Sequence, residues 1–173
     1  MSGLDRLWAG WRAAYVSAHA AGTADAASTV GGSVFARILA TDLPDEDTGI
    51  VQRGERCFTI LNRFPYGTGH LLVMPYREVA DLAALTDEEH LELWTTVRDA
   101  VAALTAAYSP DGVNVGVNLG EAAGAGVPGH LHVHVLPRWS ADSNFMTSVA
   151  ETRVLPEALP DTWRKIRASW PGT

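Results

Sequence analysis

The sequence predicts one α+β domain in which antiparallel strands pack against a single long central helix. Three observations predict this fold. Four segments rich in β-branched and apolar residues are separated by turn residues. One long segment has helical periodicity and its own start and stop signals. The 173 residues, 47% hydrophobic and 19% charged, suffice for one full hydrophobic core.

The charge and composition exclude several classes of function. The net charge is −7 at pH 7, which disfavours binding to a nucleic-acid polymer because that requires a basic surface. An anionic small molecule stays possible if local groups meet its charge. We find neither a secretory signal nor an apolar run of roughly 20 residues. We therefore expect a soluble, cytoplasmic protein without a membrane partner.

The N-terminal segment predicts an arm ahead of the domain. Residues 4–20 are expected to form a short amphipathic helix. Its aromatic stripe is expected to pack on the domain or on a second subunit in preference to binding a ligand. Residues 21–33 are small and polar and predict a flexible linker. We therefore divide the chain into an arm and linker (1–32) and a domain with a C-terminal extension (33–173). The stripe consists of Leu4, Leu7, Trp8, Trp11 and Tyr15.

Two strands near the start of the domain predict a hairpin. CFTILNRF (residues 57–64) is rich in β-formers and ends in a turn at 65–69. HLLVMPY (residues 70–76) is the next strand. Cys57, the only cysteine, cannot form an internal disulfide, and we interpret it as a small buried strand residue and not as a reactive thiol.

The central helix is predicted by its cap and by its apolar face. Thr86 can cap the helix, and Glu89 three residues later completes a capping box. His90 falls on the exposed first turn, and the helix is expected to end near 109–112. The predicted buried face comprises Leu93, Trp94, Val97, Val101 and Leu104.

The second half of the chain predicts two more strands around a glycine-rich loop. GVNVGVNL (112–119) and HLHVHVLPR (130–138) are the strands, and GEAAGAGVPG (120–129) is the loop. Residues 156–170 predict a C-terminal helix.

Three of the six histidines occupy alternate positions on the last predicted strand. Residues i, i+2 and i+4 of a strand share a face, so His130, His132 and His134 should lie in a row, roughly 6–7 Å apart. The opposite face is uniformly apolar and should turn toward the core. That face carries Leu131, Val133 and Val135.

This row of histidines fits three kinds of site. It could hold a metal, but three ligands rarely converge from one straight strand, no Cys-x-x-Cys pair is present and nearby carboxylates are sparse. An imidazole nitrogen could attack phosphorus, if its other nitrogen donates a proton to a fixed acceptor. The histidines could also lie on a solvated face without a function.

The glycine-rich loop favours attack on phosphorus. Gly120, Gly124, Gly126 and Gly129 let backbone N–H groups approach an anion closely. His70 follows Gly69 at the start of another strand, where a partly buried structural role and a functional role are both open.

Four segments carry a family resemblance. HLHVHVLP (130–137) is preceded by NLGEAAG (118–124), and LNRFP (61–65) is followed by GHLLVMP (69–75). Together they resemble the histidine triad (HIT) superfamily of nucleotide hydrolases and transferases, over about residues 33–145.

The resemblance implies a fold and a catalytic role for each triad histidine. The fold would be α+β, with a five-stranded antiparallel sheet, one long central helix and a C-terminal helix. The protein would be a homodimer or a higher oligomer. His132 would attack the α-phosphorus of a nucleotide, His134 would contact phosphate, and His130 would orient His132. No cofactor is implied.

The resemblance also implies the residues that bind the substrate. Asn62 would lie at the ribose, His70 near the phosphates, and Asn118 would support the phosphate site. The loop amides at Gly124 and Gly126, with Arg138, His70 and His130, would supply local positive potential.

Three departures from the common family pattern affect the prediction. Many members carry Cys-x-x-Cys early in the domain as part of a zinc site, but residues 33–36 read SVFA, so we expect no metal. Many members have glutamine four residues before the triad, where this chain has Gly126 in a loop that is one residue longer than usual. The segment after the triad (137–145) and the N-terminal Leu-Trp-x-x-Trp-Arg resemble actinobacterial diadenosine tetraphosphate phosphorylases of this superfamily.

The predicted function is cleavage of a dinucleoside polyphosphate through a nucleotidyl-His132 intermediate. Phosphate or water would resolve the intermediate, and the subgroup resemblance favours phosphate. The alternatives are a catalytically weak nucleotide-binding HIT protein, suggested by the missing glutamine, a nucleoside phosphoramidate hydrolase, and a metal-binding protein.

Overall fold

The structure, a computed structural model, describes residues 32–140, 142 and 157–172. The predicted N-terminal helix, most of the predicted linker, and part of the extension after the triad lie outside the described residues.

We number the described helices and strands in chain order. Two short 3-10 segments, Leu82–Ala84 and Glu121–Ala123, accompany them. The elements are α1 (Val34–Leu39), α2 (Asp45–Thr48), β1 (Ile50–Arg53), β2 (Cys57–Leu61), β3 (Leu71–Pro75), α3 (Asp87–Tyr108), β4 (Gly112–Val117), β5 (Val133–Arg138) and α4 (Leu159–Ala168).

The described strands form a five-stranded sheet in the order β1-β2-β3-β5-β4, and every pairing is antiparallel. This confirms the predicted fold class and the hairpin of β2 and β3. The histidine strand β5 lies between β3 and β4. His134 pairs with Leu72 of β3 on one side and with Gly116 of β4 on the other. The two segments that flank the triad in space are therefore the end of the first hairpin and the strand before the glycine-rich loop.

The sheet separates two apolar clusters. The larger lies between the sheet and helices α3 and α4, and includes Val133 and Val135 of β5. The smaller lies on the other face under α1, and includes Phe35 and Leu72. Because Leu72 pairs with His134, the histidine side of β5 shares the face covered by α1. Leu131, Val133 and Val135 are at most 3% exposed, which confirms that the apolar side of this segment is buried.

The long helix α3 begins with the predicted capping box. The Glu89 backbone N–H donates to Thr86 Oγ1 at 3.2 Å, and the Thr86 backbone N–H donates to the Glu89 carboxylate at 2.9 Å. Such a cap contributes about 1 kcal/mol to helix stability. His90 is exposed on the first turn, as predicted.

The predicted buried face of α3 is correct except at Trp94. Leu93, Val97 and Leu104 are buried, and Val101 packs at the edge of the same cluster. Trp94 is 38% exposed, whereas the small residue Ala100 is fully buried in the same cluster as Leu93. The Trp94 ring instead lies 6.4 Å from the His90 ring.

The predicted linker boundary and strand bounds differ from the structure in detail. Ser33, assigned to the end of the linker, is the N-cap of α1 and accepts a hydrogen bond from the Ala36 backbone N–H at 3.2 Å. The strand β2 ends at Leu61, and β5 starts at Val133, so His130 and His132 precede the strand. Local pattern cannot locate these ends, because ladder pairing with a distant strand decides them.

Helix α4 and Cys57 behave largely as predicted. The helix covers Leu159–Ala168, and the Trp163 Nε1–H donates to the Ile50 carbonyl at 2.7 Å, which fixes α4 against β1. Cys57 is fully buried, and burial raises the pKa of its thiol to about 12, so this thiol is unreactive at neutral pH. Within residues 32–140, 142 and 157–172, no helix is long and apolar enough to cross a membrane.

Candidate active site

His132 has a defined tautomer. Its Nδ1 lies 2.8 Å from the backbone carbonyl oxygen of His130, and since a carbonyl only accepts, Nδ1 must carry the proton. Burial is the largest effect on this ring and lowers its pKa, while the hydrogen bond to His130 partly opposes that shift. The neutral ring therefore presents its lone pair on Nε2, which is the form a nucleophile requires.

His134 also has a defined tautomer, set by His70. The Tyr66 backbone N–H donates to His70 Nδ1 at 3.0 Å, so the neutral His70 ring carries its proton on Nε2. That Nε2 lies 2.9 Å from His134 Nδ1 and donates to it. His134 therefore keeps its own proton on Nε2.

The His134 Nε2–H group is buried and has no hydrogen-bond partner among the residues that the structure describes. Burial, with a smaller contribution from His132, lowers the pKa of His134 to about 4. The rings of His132 and His134 are 5.0 Å apart, in an edge-to-face arrangement. A ring that carries a neutral N–H donor thus packs against the ring of His132.

His70 lies next to the triad, against His134. It is 1% exposed, and both of its ring nitrogens are engaged within the protein. Its position near the phosphates stays a prediction. Asn62 lies on the far side of His70, with its amide nitrogen 3.3 Å from His70 Nδ1 and its oxygen accepting from the Phe64 backbone N–H.

His130 is enclosed and hydrogen-bonded at both ring nitrogens. It is 0% exposed. Its Nε2 donates to the Pro75 carbonyl at 2.8 Å, and its Nδ1 lies 2.7 Å from Ser33 Oγ. A ring in this position cannot contact a substrate without losing a bond, but its backbone carbonyl faces His132.

Two aromatic rings pack against the histidines. Phe35 of α1 lies 5.5 Å from the His130 ring and 5.6 Å from the His132 ring. Tyr66, in the turn before β3, lies 4.7 Å from the His70 ring and stacks on the His134 ring at 5.8 Å. These rings contribute to the burial that lowers the pKa values of His132 and His134.

The glycine-rich loop is held in shape by its own backbone and by Asn118. Gly120 and Gly124 have φ values of +79° and +91°, which only glycine adopts without strain. The Asn118 amide donates to the Gly124 carbonyl at 3.3 Å. Asn118 is one residue beyond the last pair of β4 and β5, Val117 with Val133, so it lies opposite His132. Gly126 is half-buried in the same loop, four residues before His130.

Arg138 is not brought to the histidines. It ends β5, four residues after His134, which corresponds to about 13 Å along a strand. Its guanidinium donates to the Asp142 carboxylate and to Asn114 Oδ1. The Asp142 carboxylate offsets the positive potential that the sequence assigned to Arg138.

Comparisons with known proteins identify the family of the chain. The HIT domain profile matches residues 44–141. The AP-4-A phosphorylase of Mycobacterium tuberculosis is 39% identical over 167 residues, which cover 96% of this chain and 85% of the relative.

The chain belongs to the HIT family.

Two further HIT proteins show how far the similarity extends. The asymmetrical bis(5'-nucleosyl)-tetraphosphatase of Schizosaccharomyces pombe is 40% identical over 82 residues, 47% of this chain and 44% of that protein. The crystal structure of a Zn-bound histidine triad family protein from Mycobacterium smegmatis has a TM-score of 0.64 and 28% identity. The structural match covers 80% of this chain and 92% of the Mycobacterium smegmatis chain.

The zinc site of some HIT proteins does not fit this chain. At the position of the Cys-x-x-Cys pair, Ser33 contacts His130 and Ala36 has no ligand atom. Both His130 nitrogens already have partners. Across the described parts of the chain, no three His, Cys, Asp or Glu side chains are arranged to hold a metal ion.

Ser33, Phe35 and Tyr66 have roles at the site that were not predicted from the sequence. Each is distant from the triad in sequence, and Ser33 is 97 residues from His130. Ser33 had one usable signal, since a serine before a short apolar run is a typical helix cap. Nothing in the sequence indicated that the same hydroxyl would reach a histidine.

Proposed function

We propose that this HIT protein cleaves a dinucleoside polyphosphate of the diadenosine tetraphosphate type, with His132 as the nucleophile. One observation carries the proposal, namely the hydrogen bond from His132 Nδ1 to the His130 carbonyl, which leaves the Nε2 lone pair available for attack. The names of the mycobacterial and yeast relatives support the substrate class.

The proposed reaction has two displacements. In the first, His132 Nε2 attacks an α-phosphorus, a P–N bond forms, and the bond from that phosphorus to the bridging oxygen of the polyphosphate breaks. In the second, an oxygen of inorganic phosphate attacks the same phosphorus and the P–N bond breaks. Diadenosine tetraphosphate and phosphate would thus yield ATP and ADP, whereas water as the acceptor would yield ATP and AMP.

Hydrogen-bond donors at the site support stabilisation of the charged phosphate oxygens. The His134 Nε2–H group lies beside His132 and has no partner in the described residues. Because it is neutral and buried, it can donate to an oxyanion without first losing water. The loop shaped by Gly120, Gly124 and Asn118 would add backbone N–H donors.

A screen of nucleotides with and without inorganic phosphate tests this function. We expect diadenosine tetraphosphate to be consumed with phosphate present, giving ATP and ADP in equal amounts. AMP in place of ADP would identify water as the acceptor and contradict phosphorolysis. Tight nucleotide binding without turnover would support a catalytically weak nucleotide-binding protein, the alternative that Gly126 suggests. Turnover of a nucleoside phosphoramidate and of no other substrate would support a nucleoside phosphoramidate hydrolase.

We also propose that the protein acts in the cytoplasm as a homodimer or a higher oligomer. The edge strand β4 supports this proposal, because Val115 and the nearby Leu119 are 43% and 45% exposed. Sedimentation equilibrium of the full chain would detect an assembly, and a monomer mass at micromolar concentration would contradict it.

A further inference from the structure

The contact between Ser33 and His130 joins the start of α1 to the first triad histidine. Ser33 Oγ lies 2.7 Å from His130 Nδ1. Further hydrogen bonds hold each of the two residues in place. The Ser33 backbone N–H donates to Glu78 Oε2 at 2.9 Å, Ser33 Oγ accepts from the Ala36 backbone N–H, and the His130 backbone N–H donates to the Val127 carbonyl at 3.1 Å.

The direction of the Ser33–His130 bond follows from the other side of the ring. The Pro75 carbonyl only accepts, so His130 Nε2 carries the proton of the neutral ring, and Nδ1 has the lone pair. The Ser33 hydroxyl must therefore donate to Nδ1. This direction agrees with the Ala36 N–H, which donates to the same Ser33 oxygen at 3.2 Å.

The enclosed His130 ring helps to fix its own backbone carbonyl, together with the Leu131 backbone N–H of the same peptide unit, which donates to the Val79 carbonyl at 2.6 Å. That carbonyl accepts the proton of His132 Nδ1 at 2.8 Å. A carbonyl that moved away would leave Nδ1 without an acceptor and allow the other tautomer of His132, in which Nε2 is protonated and cannot attack. A chain of two hydrogen bonds and one residue thus connects the Ser33 hydroxyl to the nucleophile.

We propose that Ser33 is a positioning residue, whose hydroxyl clamps His130 and thereby holds His132 in its nucleophilic tautomer without a metal ion. This inference rests on the proposed role of His132. Ser33 stands where many family members have the first cysteine of a Cys-x-x-Cys pair, and in this chain its hydroxyl is hydrogen-bonded to the first triad histidine.

Three variants of the full-length protein separate this role from helix capping. Ser33→Gly removes the hydroxyl, while glycine retains most of the stability of an N-cap. Ser33→Thr restores both hydroxyl and cap. Thr86→Gly removes the hydroxyl that caps α3, where it accepts from the Glu89 backbone N–H.

The kinetic test compares these variants on the nucleotide that the wild type cleaves. For Ser33→Gly we expect kcat to fall roughly tenfold to a hundredfold, the size of effect that slight misplacement of a reacting group produces, with KM within about twofold. Ser33→Thr should recover most of the lost kcat, and Thr86→Gly, which removes a cap hydroxyl in the same way at another helix, should leave kcat unchanged. A Ser33→Gly kcat equal to that of the wild type, or no recovery in Ser33→Thr, would overturn the proposal.

A second measurement does not depend on activity. Nitrogen-15 NMR of labelled histidines distinguishes protonated from unprotonated ring nitrogens. In the wild type we expect protonated Nε2 in His130 and protonated Nδ1 in His132, and in Ser33→Gly a second tautomer of His132. Unchanged His132 signals in Ser33→Gly would refute the clamp even if nucleotide cleavage is correct. If the protein cleaves no nucleotide but gives the expected tautomer signals in the wild type and in Ser33→Gly, the proposed function is wrong and the positioning role of Ser33 is supported.

Discussion

The histidines at the site are organised in two separate hydrogen-bonded chains. In one, Ser33 and the Pro75 carbonyl hold the His130 ring, and the His130 carbonyl holds His132. In the other, the Tyr66 backbone holds His70, which holds His134. Identical side chains thus receive different tautomers from their partners, with a lone pair on His132 Nε2 and a proton on His134 Nε2. This difference suits His132 to its proposed role as the nucleophile and His134 to the proposed role of hydrogen-bond donor.

The lowered pKa of His134 predicts a pH dependence of stability. Burial lowers this pKa from 6.5 to about 4, so between these values the unfolded chain binds a proton that the folded protein excludes. Above pH 6.5 His134 does not reduce the free energy of unfolding, because the ring is neutral in both states. As the pH falls toward 4, this free energy decreases by as much as about 3 kcal/mol. Urea unfolding at pH 7 and at pH 4.5 measures this effect. Between these two pH values, the free energy of unfolding should fall less in His134→Gln than in the wild type.

Glutamine is the matched replacement because its amide oxygen can still accept the proton of His70 Nε2. An equal loss of stability in wild type and His134→Gln across this range would show that His134 already titrates normally in the folded protein.

The turn between β2 and β3 is shaped by one glycine. Gly69 has φ +77°, and a Cβ there would lie 3.1 Å from Pro137, 3.2 Å from Leu104 and 3.3 Å from Tyr108. This close approach places His70, the next residue, against His134. The chain can make this turn only where no side chain intervenes.

Gly69→Ala should therefore destabilise the protein by about 1–3 kcal/mol, from backbone strain and crowding. Gly112→Ala is the control, because a Cβ added at Gly112 in β4 would have no described atom within 4 Å. Urea unfolding of both variants measures the difference. A Gly69→Ala variant as stable as Gly112→Ala would show that the turn relaxes without cost.

Local signals identified most elements but not their limits. The α3 capping box and the alternation of β5 were readable because each depends on residues a few positions apart. The four residues of β1 are too few for a periodic signal, and β1 was not predicted. Trp94 was assigned to the core because spacing alone cannot separate the centre of a helix face from its edge.

At the scale of the whole molecule, the site depends on strand order. The sheet places β3 and β4 on opposite sides of β5, which brings His70 and Asn118 to the triad from different parts of the chain. Helix α1 then adds Phe35 and Ser33 across the same face. The triad itself was visible in the sequence because its alternation is local. Its partners were not, since contacts over such separations follow from the packed fold. The sequence indicated neither the contact of His70 with His134 nor the pairing of Arg138 with Asp142.

The most direct test of His132 as the nucleophile is a single-turnover reaction with diadenosine tetraphosphate, run without phosphate and quenched in alkali, which preserves a phosphoramidate bond. Mass spectrometry of the digested protein should find an adenylyl group on His132, and its amount should fall when phosphate is added before the quench. The His132→Asn variant should carry no adenylyl group and form no product, while remaining folded. An adenylyl group on another residue, or product formed by His132→Asn at the wild-type rate, would contradict the assignment of His132 as the nucleophile.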